Sequence, residues 1–215
     1  MILISFILIT CIKIIWPMIK FNNLSKHAPY LIFKDLYDES LKSNQKNIEA
    51  ICIASYSSKN KEANARFVNL KFVNDKEFIF FSNYNSPKSK DFTENNQITG
   101  LIYWNNINVQ IRMKAFIEKT SVSFNHAYFA QRDKKKNALA ISSNQSQIIS
   151  SYEEVKKNFN ETLDNDDLTK CPDYWGGYSF IPYYFEFWKG HESRLNKREA
   201  FLLNNENWIH SFLEP

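Results

Sequence analysis

The chain has 215 residues and a formal net charge of +4, from 27 Lys and Arg against 23 Asp and Glu. With 44% apolar and 16% aromatic residues it can bury a sizeable core, which argues against global disorder. The small positive charge is spread over both halves of the sequence, so it does not indicate a nucleic-acid partner. A chain of this length typically forms one compact domain.

Glycine, cysteine and histidine are placed in ways that exclude several common kinds of site. The four glycines, at positions 100, 176, 177 and 190, cannot form the glycine-rich fingerprint of a dinucleotide fold or a P-loop. The three cysteines form no C-x-x-C pair, and the four histidines are isolated from one another in the sequence. We therefore predict no metal site, no disulfide framework, and three reduced thiols in a cytoplasmic protein.

Residues 1–19 form a mostly apolar leader with two interpretations. They lack the basic start and small-residue exit of a secretory signal, and Lys13 and Pro17 shorten the apolar run below the ~20 residues of a membrane span. The first interpretation is a gene-model extension, with translation starting at Met18. The second is a membrane or targeting segment, which would associate the chain with a membrane. Residues 20–215 are assigned to a single domain.

Periodicity predicts one helix followed by a meander of strands. Residues 29–44 have an apolar face at helical spacing. Short β-branched and aromatic runs separated by polar turns then predict strands at 48–56, 65–73 and 77–82. A second helix is predicted at 86–95, where a serine precedes a proline at the first helical position.

The second half continues with strands and flanking helices. The pattern predicts strands at 98–104 and 109–119, helices at 121–132 and 151–163, and strands at 178–180, 184–188, 200–203 and 208–212. Strands dominate and their connections are hairpin-like. We therefore predict a mainly β (α+β) fold, an antiparallel barrel with peripheral helices.

Candidate anion-binding groups of the first half lie at strand and helix ends. Arg66 and Lys71 fall on opposite faces of the strand at 65–73 if its side chains alternate, and a solvent-exposed pair is the simpler explanation. Lys88 follows Ser86 at a helix N-terminus, where backbone N–H groups favour an anion such as phosphate. A plain N-cap explains Ser86 equally well.

Aromatic and arginine residues dominate the candidates of the second half. Tyr128 and Arg132 lie four residues apart on a predicted helix, as either an exposed pair or a phosphate clamp. Trp188 precedes Arg194 and Arg198, so an apolar wall would stand beside two guanidinium groups, with core packing as the alternative. Since only five of the 27 cations are arginine, each marks a position where the guanidinium itself matters.

Nine short motifs occur in an order and spacing that resembles the pyridoxamine 5′-phosphate oxidase family, from about residue 29 to residue 215. They are R-x-V-x-L-K at 66–71, F-S-N at 81–83, S-x-K at 86–88, Q-x-R at 110–112, Y-F-x-x-R at 128–132, Q-S at 145–146, W-G-G at 175–177, E-F-W-x-G at 186–190 and R-L-x-x-R at 194–198. The resemblance implies an FMN-binding split β-barrel that forms a homodimer, with FMN in two clefts between the subunits.

The resemblance also implies which residues contact the ligands. For FMN they are Arg66, Phe67, Val68, Asn69, Leu70, Lys71, Phe81, Ser82, Lys88, Gln110, Gln145, Ser146, Trp188 and Arg198. For the phosphorylated substrate they are Lys71, Tyr128, Arg132, Lys136, Arg194 and Asn196. No residue receives a catalytic role beyond positioning, because a flavin supplies the reactive atoms itself.

The implied activity is oxidation of pyridoxamine or pyridoxine 5′-phosphate, a B6 vitamer, to pyridoxal 5′-phosphate, with O₂ as acceptor and H₂O₂ as product. Four positions depart from the family pattern: Pro87 and Phe212 replace arginines, Lys136 a serine and Asn196 a histidine. Arg112 is the one arginine that receives no ligand. Two alternatives stay open: an FMN-binding split-barrel oxidoreductase for another small molecule, and a non-catalytic protein that binds flavin or pyridoxal phosphate.

Overall fold

The computed structural model describes residues 19–215, in which nine strands form one sheet with five α-helices around it. The strands are β1 Lys20–Asn22, β2 Ala50–Ser57, β3 Glu62–Asn74, β4 Glu77–Asn83, β5 Gln97–Trp104, β6 Val109–Lys119, β7 Trp175–Lys189, β8 Lys197–Asn204 and β9 Asn207–Phe212. The helices are α1 Ala28–Lys42, α2 Pro87–Glu94, α3 Val122–Gln131, α4 Lys134–Ser142 and α5 Tyr152–Asn165.

Strand pairing closes a six-stranded barrel. The sheet runs β1-β3-β2-β5-β6-β7-β8-β9, and β4 pairs with both β3 and β7, which joins β3, β2, β5, β6, β7 and β4 into a ring. Every pair is antiparallel except β1 with β3. Strands β8 and β9 extend the sheet beyond the barrel. The predicted antiparallel barrel with peripheral helices is confirmed.

Helix α1 covers the core with the aromatic face that its periodicity predicts. Phe33 and Tyr37 are fully buried, and the ring of Phe33 lies 5.0 Å from that of Phe78 in an edge-on contact. Ile19 is buried too, and its backbone N–H donates to the Tyr37 hydroxyl at 3.3 Å. The first described residue is therefore packed against the core.

Ile19 is the one residue of the predicted leader that the structure describes. Residues 1–18 lie outside the described residues, so the start at Met18 and the membrane or targeting segment both stay predictions. Among residues 19–215, no helix combines the length and the apolar character that crossing a membrane requires.

Three elements differ from the sequence-based expectations. Strand β1 was not predicted, because three residues are too few to show a period. Helix α4 was also missed, although Asp133 signals its start by accepting a hydrogen bond from the Lys136 N–H at 3.1 Å. Strand β7 is continuous where two strands were predicted, because Pro182 lies at a pairing irregularity of β6 and β7, where a missing N–H is tolerated.

Candidate active site

A cavity of about 590 Å³ opens on the side of the barrel, against β3, β4, α2 and the segment around α3 and α4. It brings together most of the residues that the resemblance assigns to ligands. Those that line it are Arg66, Phe67, Val68, Asn69, Lys71, Phe81, Ser82, Lys88, Tyr128, Arg132, Lys136, Gln145 and Ser146. It also includes four residues that the sequence did not single out, Lys20, Phe72, Gln131 and Asp133.

The cavity wall carries a large excess of positive charge. Six cationic side chains line it against one carboxylate among the described residues, and that carboxylate, Asp133, caps helix α4. The cations are Lys20, Arg66, Lys71, Lys88, Arg132 and Lys136. Charge of one sign in a concave site attracts a ligand of the opposite sign, so the cavity is suited to anionic ligands.

Lys88 is the most deeply buried of these cations, with 8% of its surface exposed. Its ammonium donates to the Gln145 side-chain oxygen at 2.9 Å and to the Ser86 hydroxyl at 3.0 Å, both of which are neutral. Burial, with a smaller contribution from the charge of Arg66, lowers the pKa of Lys88 to about 8. A buried cation with neutral partners is a fitting contact for a phosphate group.

Ser86 shows that the simple N-cap interpretation is wrong for its side chain. The residue occupies the N-cap position of α2, and Pro87 is at the first helical position as predicted, but the Ser86 hydroxyl makes no capping hydrogen bond. It accepts from Lys88 instead and pairs with the Ser89 hydroxyl at 3.0 Å. The hydroxyl therefore serves the cationic site rather than the helix end.

Strand β3 brings Arg66 and Lys71 to the same cavity, to which both faces of the strand contribute, since Phe67, Val68 and Asn69 line it too. The pairing of β3 with β4 shifts register between Leu70 and Phe72, so strict alternation ends at Lys71. Leu70 is fully buried in the barrel core, and its side chain is the one of the 66–71 motif that does not line the cavity.

An aromatic stack forms the second part of the cavity wall. The Tyr128 ring lies 4.0 Å from that of Phe81, and Phe81 in turn stacks on Trp175 at 5.0 Å. The Arg132 guanidinium lies over Trp175, 5.0 Å from the ring centre. Trp175 is the first residue of the W-G-G motif, and the resemblance assigns it no ligand contact. Its position beneath Arg132 depends on strand β7.

The sequence predicted that Arg132 lies on the same helix as Tyr128, but in the structure it lies just beyond the end of that helix. Helix α3 ends at Gln131, and Arg132 is extended, with φ −77° and ψ 154°. Its guanidinium donates to the Lys136 carbonyl at 2.8 Å and to the Asn137 side-chain oxygen at 3.1 Å. The start of α4, which the sequence missed, is therefore what holds Arg132 at the cavity.

Lys71 lies near the charges of Arg132 and Lys136. Burial lowers the pKa of Lys71, the two neighbouring cations lower it further, and the carboxylate of Glu49 opposes them. Five of the six cations thus fall into two groups, one of Arg66 and Lys88 and one of these three residues.

Besides Leu70, five of the residues assigned by the resemblance do not line this cavity. Gln110, Trp188 and Arg198 form one row across three strands, since Gln110 pairs with Trp188 and Trp188 with Arg198. Arg194 and Asn196 lie in the turn between β7 and β8, where the Asn196 side-chain oxygen accepts from the His191 N–H at 3.0 Å. Within one chain these residues form a second group on the sheet.

The buried carboxylate of Glu186 joins Arg198 of this second group to Arg112. It accepts from the Arg112 Nε at 3.1 Å, from the Arg198 Nη2 at 2.8 Å and from the Tyr184 hydroxyl at 3.0 Å. Burial raises the pKa of Glu186, but these hydrogen bonds together outweigh it and lower the pKa. Arg112, which had no predicted ligand, therefore has a carboxylate partner that only the pairing of β6 and β7 reveals.

Metal chemistry has no candidate in the part of the chain that is described. Within residues 19–215, no three His, Cys, Asp or Glu side chains come together as a group that could hold a metal ion.

Solved structures show the same fold. The fold is similar to that of PhzG from Burkholderia lata in complex with tetrahydrophenazine-1-carboxylic acid, with a TM-score of 0.80, 23% identity, and coverage of 87% of this chain and 92% of that chain. It is also similar to a pyridoxamine 5′-phosphate oxidase-related, FMN-binding protein from Nostoc punctiforme, with a TM-score of 0.73, 13% identity, and coverage of 88% and 99%. The predicted split-barrel fold of the FMN-binding type is confirmed.

The sequence comparisons then identify the family. Residues 37–165 match the model of pyridoxamine 5′-phosphate oxidase, and residues 175–215 match the pyridoxine 5′-phosphate oxidase C-terminal dimerisation region. A pyridoxine/pyridoxamine 5′-phosphate oxidase of Colwellia psychrerythraea is 33% identical over 193 residues, 89% of this chain and 88% of the relative. One of Leptospira biflexa is 34% identical over 190 residues, 87% of this chain and 89% of the relative. The chain belongs to this family of oxidoreductases, and the predicted family is confirmed.

Proposed function

We propose that this chain is an FMN-dependent oxidase that converts pyridoxamine or pyridoxine 5′-phosphate to pyridoxal 5′-phosphate, with O₂ as acceptor and H₂O₂ as product. The observation that carries the proposal is the presence of two cationic groups in one cavity, because the reaction needs two phosphate-bearing molecules side by side. Membership of the family supports the same reaction. The cytoplasmic location predicted from the cysteines belongs to this proposal.

The group of Arg66 and Lys88 fits the phosphate of FMN. Both side chains line the cavity, and the Lys88 ammonium has only neutral hydrogen-bond partners. Ser82, Gln145 and Ser146 lie on the same wall, where the Ser82 hydroxyl donates to Gln145 at 3.3 Å, and would hydrogen-bond the flavin. FMN, when bound, would supply the group that accepts the substrate's hydride and is then reoxidised by O₂.

The group of Lys71, Arg132 and Lys136 fits the phosphate of the substrate. Burial raises the pKa of Tyr128, so its hydroxyl remains protonated and can donate to the same phosphate. The hydrogen bonds of Arg132 to α4 and its contact with Trp175 fix the guanidinium before a ligand arrives. These residues would hold and orient the substrate, which is the protein's main contribution when the cofactor carries the chemistry.

We further propose a homodimer in which each cavity is completed by the second subunit. The row of Gln110, Trp188 and Arg198 lies outside this chain's own cavity, and Trp188 and Arg198 belong to the matched dimerisation region, 175–215. In a two-fold dimer the same surface serves both subunits, so this row and Arg194 would reach the partner's FMN and substrate.

A second candidate is an FMN-binding oxidoreductase that acts on another small anion. It is supported by the substrate side, where the lysine at 136 lines the cavity in place of a serine and the amide of Asn196 is engaged by the His191 N–H. An ammonium attracts a phosphate or a carboxylate alike, so this group by itself does not select the vitamer phosphate.

One experiment separates these functions. The purified protein is expected to be yellow, to release FMN on denaturation, and to form pyridoxal phosphate and peroxide from pyridoxamine or pyridoxine 5′-phosphate. The unphosphorylated vitamers are the matched control and are expected to react far more slowly. Flavin-loaded protein that turns over neither phosphorylated vitamer would contradict the proposed reaction, and protein that binds no FMN would contradict the cofactor as well.

A further inference from the structure

Helix α2 presents a cation and a carboxylate on one face. Lys88 and Asp91 are three residues apart, and both are nearly buried, with 8% and 5% of their surface exposed. Lys88 lines the cavity, whereas Asp91 lies outside its lining. Neither the sequence motifs nor the resemblance gives Asp91 a role.

The carboxylate of Asp91 is part of a network around Arg66. Its Oδ2 atom accepts from the Ser55 hydroxyl at 2.7 Å and from the Asn64 side-chain nitrogen at 3.4 Å, and it lies 3.6 Å from the Arg66 Nη2. The Ser55 hydroxyl in turn accepts from the Arg66 Nη1 at 2.7 Å, and the same Nη1 donates to the Ile53 carbonyl at 3.2 Å. Ser55 therefore connects the carboxylate to the guanidinium.

This network restrains a side chain that is otherwise flexible. An arginine side chain has many rotamers, and a ligand that binds a free arginine must overcome this rotamer entropy. Both hydrogens of the Arg66 Nη1 are used by Ile53 and Ser55, and its Nη2 faces Asp91. Since a guanidinium has five N–H bonds, its remaining donors are available for a ligand in the cavity that Arg66 lines.

We propose that Asp91, acting through Ser55, is a positioning residue that holds the Arg66 guanidinium towards the cavity, so that Arg66 and Lys88 bind one phosphate group together. The inference rests on the proposed function, in which that phosphate belongs to FMN. Asp91 itself does not touch the ligand. Its role is to reduce the ordering that Arg66 must undergo when FMN binds.

The sign of a charge-removing substitution distinguishes positioning from a simple electrostatic effect. A carboxylate near a phosphate site repels the phosphate, so removing its charge without any other effect would strengthen FMN binding. If the carboxylate holds Arg66 in place, its removal weakens FMN binding instead. The two explanations of Asp91 therefore predict changes in opposite directions.

The test compares FMN with riboflavin, which lacks the phosphate, in titrations of the full-length protein freed of flavin and followed by flavin fluorescence. In Asp91→Asn we expect FMN to bind about tenfold more weakly, which is the effect of losing one charge-assisted contact, and riboflavin to bind as in the wild type. Ser55→Ala is expected to weaken FMN binding as well. The double variant is expected to lose less binding free energy than the losses of the two single variants added together. Glu94→Gln, on an exposed position of the same helix, is the matched control and is expected to bind FMN normally.

Each outcome bears on one of the two proposals. FMN binding that is unchanged or tighter in Asp91→Asn overturns the positioning role, and so does an equal loss of FMN and riboflavin affinity. If Asp91→Asn does not fold, Ser55→Ala decides alone, and wild-type FMN affinity in that variant overturns the inference. A wild-type protein that binds no FMN overturns the proposed function, and this inference falls with it.

Discussion

At the scale of single residues, the central feature is a lysine ammonium that is almost withdrawn from water. Lys88 meets two neutral oxygens and lies near the charge of Arg66, and its pKa is lowered to about 8 by burial first and by Arg66 second. A bound phosphate would supply the missing negative charge and raise this pKa again. Binding of a phosphate above pH 8 is therefore coupled to uptake of a proton.

This coupling predicts a pH dependence of FMN affinity. In the free protein Lys88 loses its proton as the pH rises through about 8, so FMN binding should weaken by up to about tenfold per pH unit between pH 8 and pH 10. FMN titrations of the wild type and of Lys88→Met over this range measure it. The methionine variant is expected to bind more weakly at pH 7 and to lack the slope. A slope of the same size in both proteins would show that another group is responsible.

At the scale of elements, strand β7 supports helix α3, which carries Tyr128. The Asn125 side-chain oxygen accepts from the Gly177 N–H at 2.8 Å, and its amide nitrogen donates to the Tyr84 hydroxyl at 3.1 Å. A Cβ atom at Gly176 would lie 2.2 Å from that hydroxyl and 2.5 Å from the Asn125 amide nitrogen. The glycine thus permits the close approach of helix and strand.

Gly176→Ala is therefore expected to lower the free energy of unfolding by about 1–3 kcal/mol, the usual effect of overpacking a filled site. Because α3 carries Tyr128, we also expect a higher KM for the phosphorylated substrate. Gly100→Ala is the control, since its Cβ would come close only to the terminal methyl of Ile51, at 2.9 Å, with the Met113 methyl next at 3.6 Å, and should cost less. Equal losses in thermal unfolding of the two variants would contradict the role assigned to the Gly176 contact.

At the scale of the whole molecule, the assigned residues divide into two groups that one chain does not bring together. Arg66 lines the cavity, while Arg198 lies on β8, held by Glu186 and by the Glu214 carbonyl, to which it donates at 2.6 Å. The proposed two-fold dimer unites them, since a residue of one subunit then completes the site of the other.

Subunit complementation tests this arrangement. Arg66→Ala and Arg198→Ala are each expected to retain little FMN, because each removes a guanidinium from every site. Co-expression of the two chains should restore about a quarter of all sites, since half of the random dimers are mixed and each has one intact site. Arg66→Ala with Lys88→Ala, two residues of the same cavity, is the control and should restore none. Recovery of FMN binding by the control pair would contradict a site shared between subunits. A failure of both pairs to recover FMN binding would contradict it as well.

The sequence alone predicted the elements whose burial pattern is local and regular. Helix α1, the barrel strands except the continuous β7, and the Ser86–Pro87 start of α2 follow from periodicity and from helix-start residues, and the motif order identified the family. Most of the residues that line the cavity were also assigned through those motifs. Such signals lie within a few neighbouring residues, where side-chain pattern reports which face is buried.

The tertiary structure decided what depends on pairing between distant segments. The register shift at Lys71 comes from β4, the partner of Arg112 lies 74 residues away on β7, and the Ser55–Asp91 contact spans 36 residues. No local pattern contains these contacts, because a strand's register and bulges are set by the strands beside it. The sequence therefore determined the family and the cationic residues, and the fold determined which of those cations face one cavity and what holds them there.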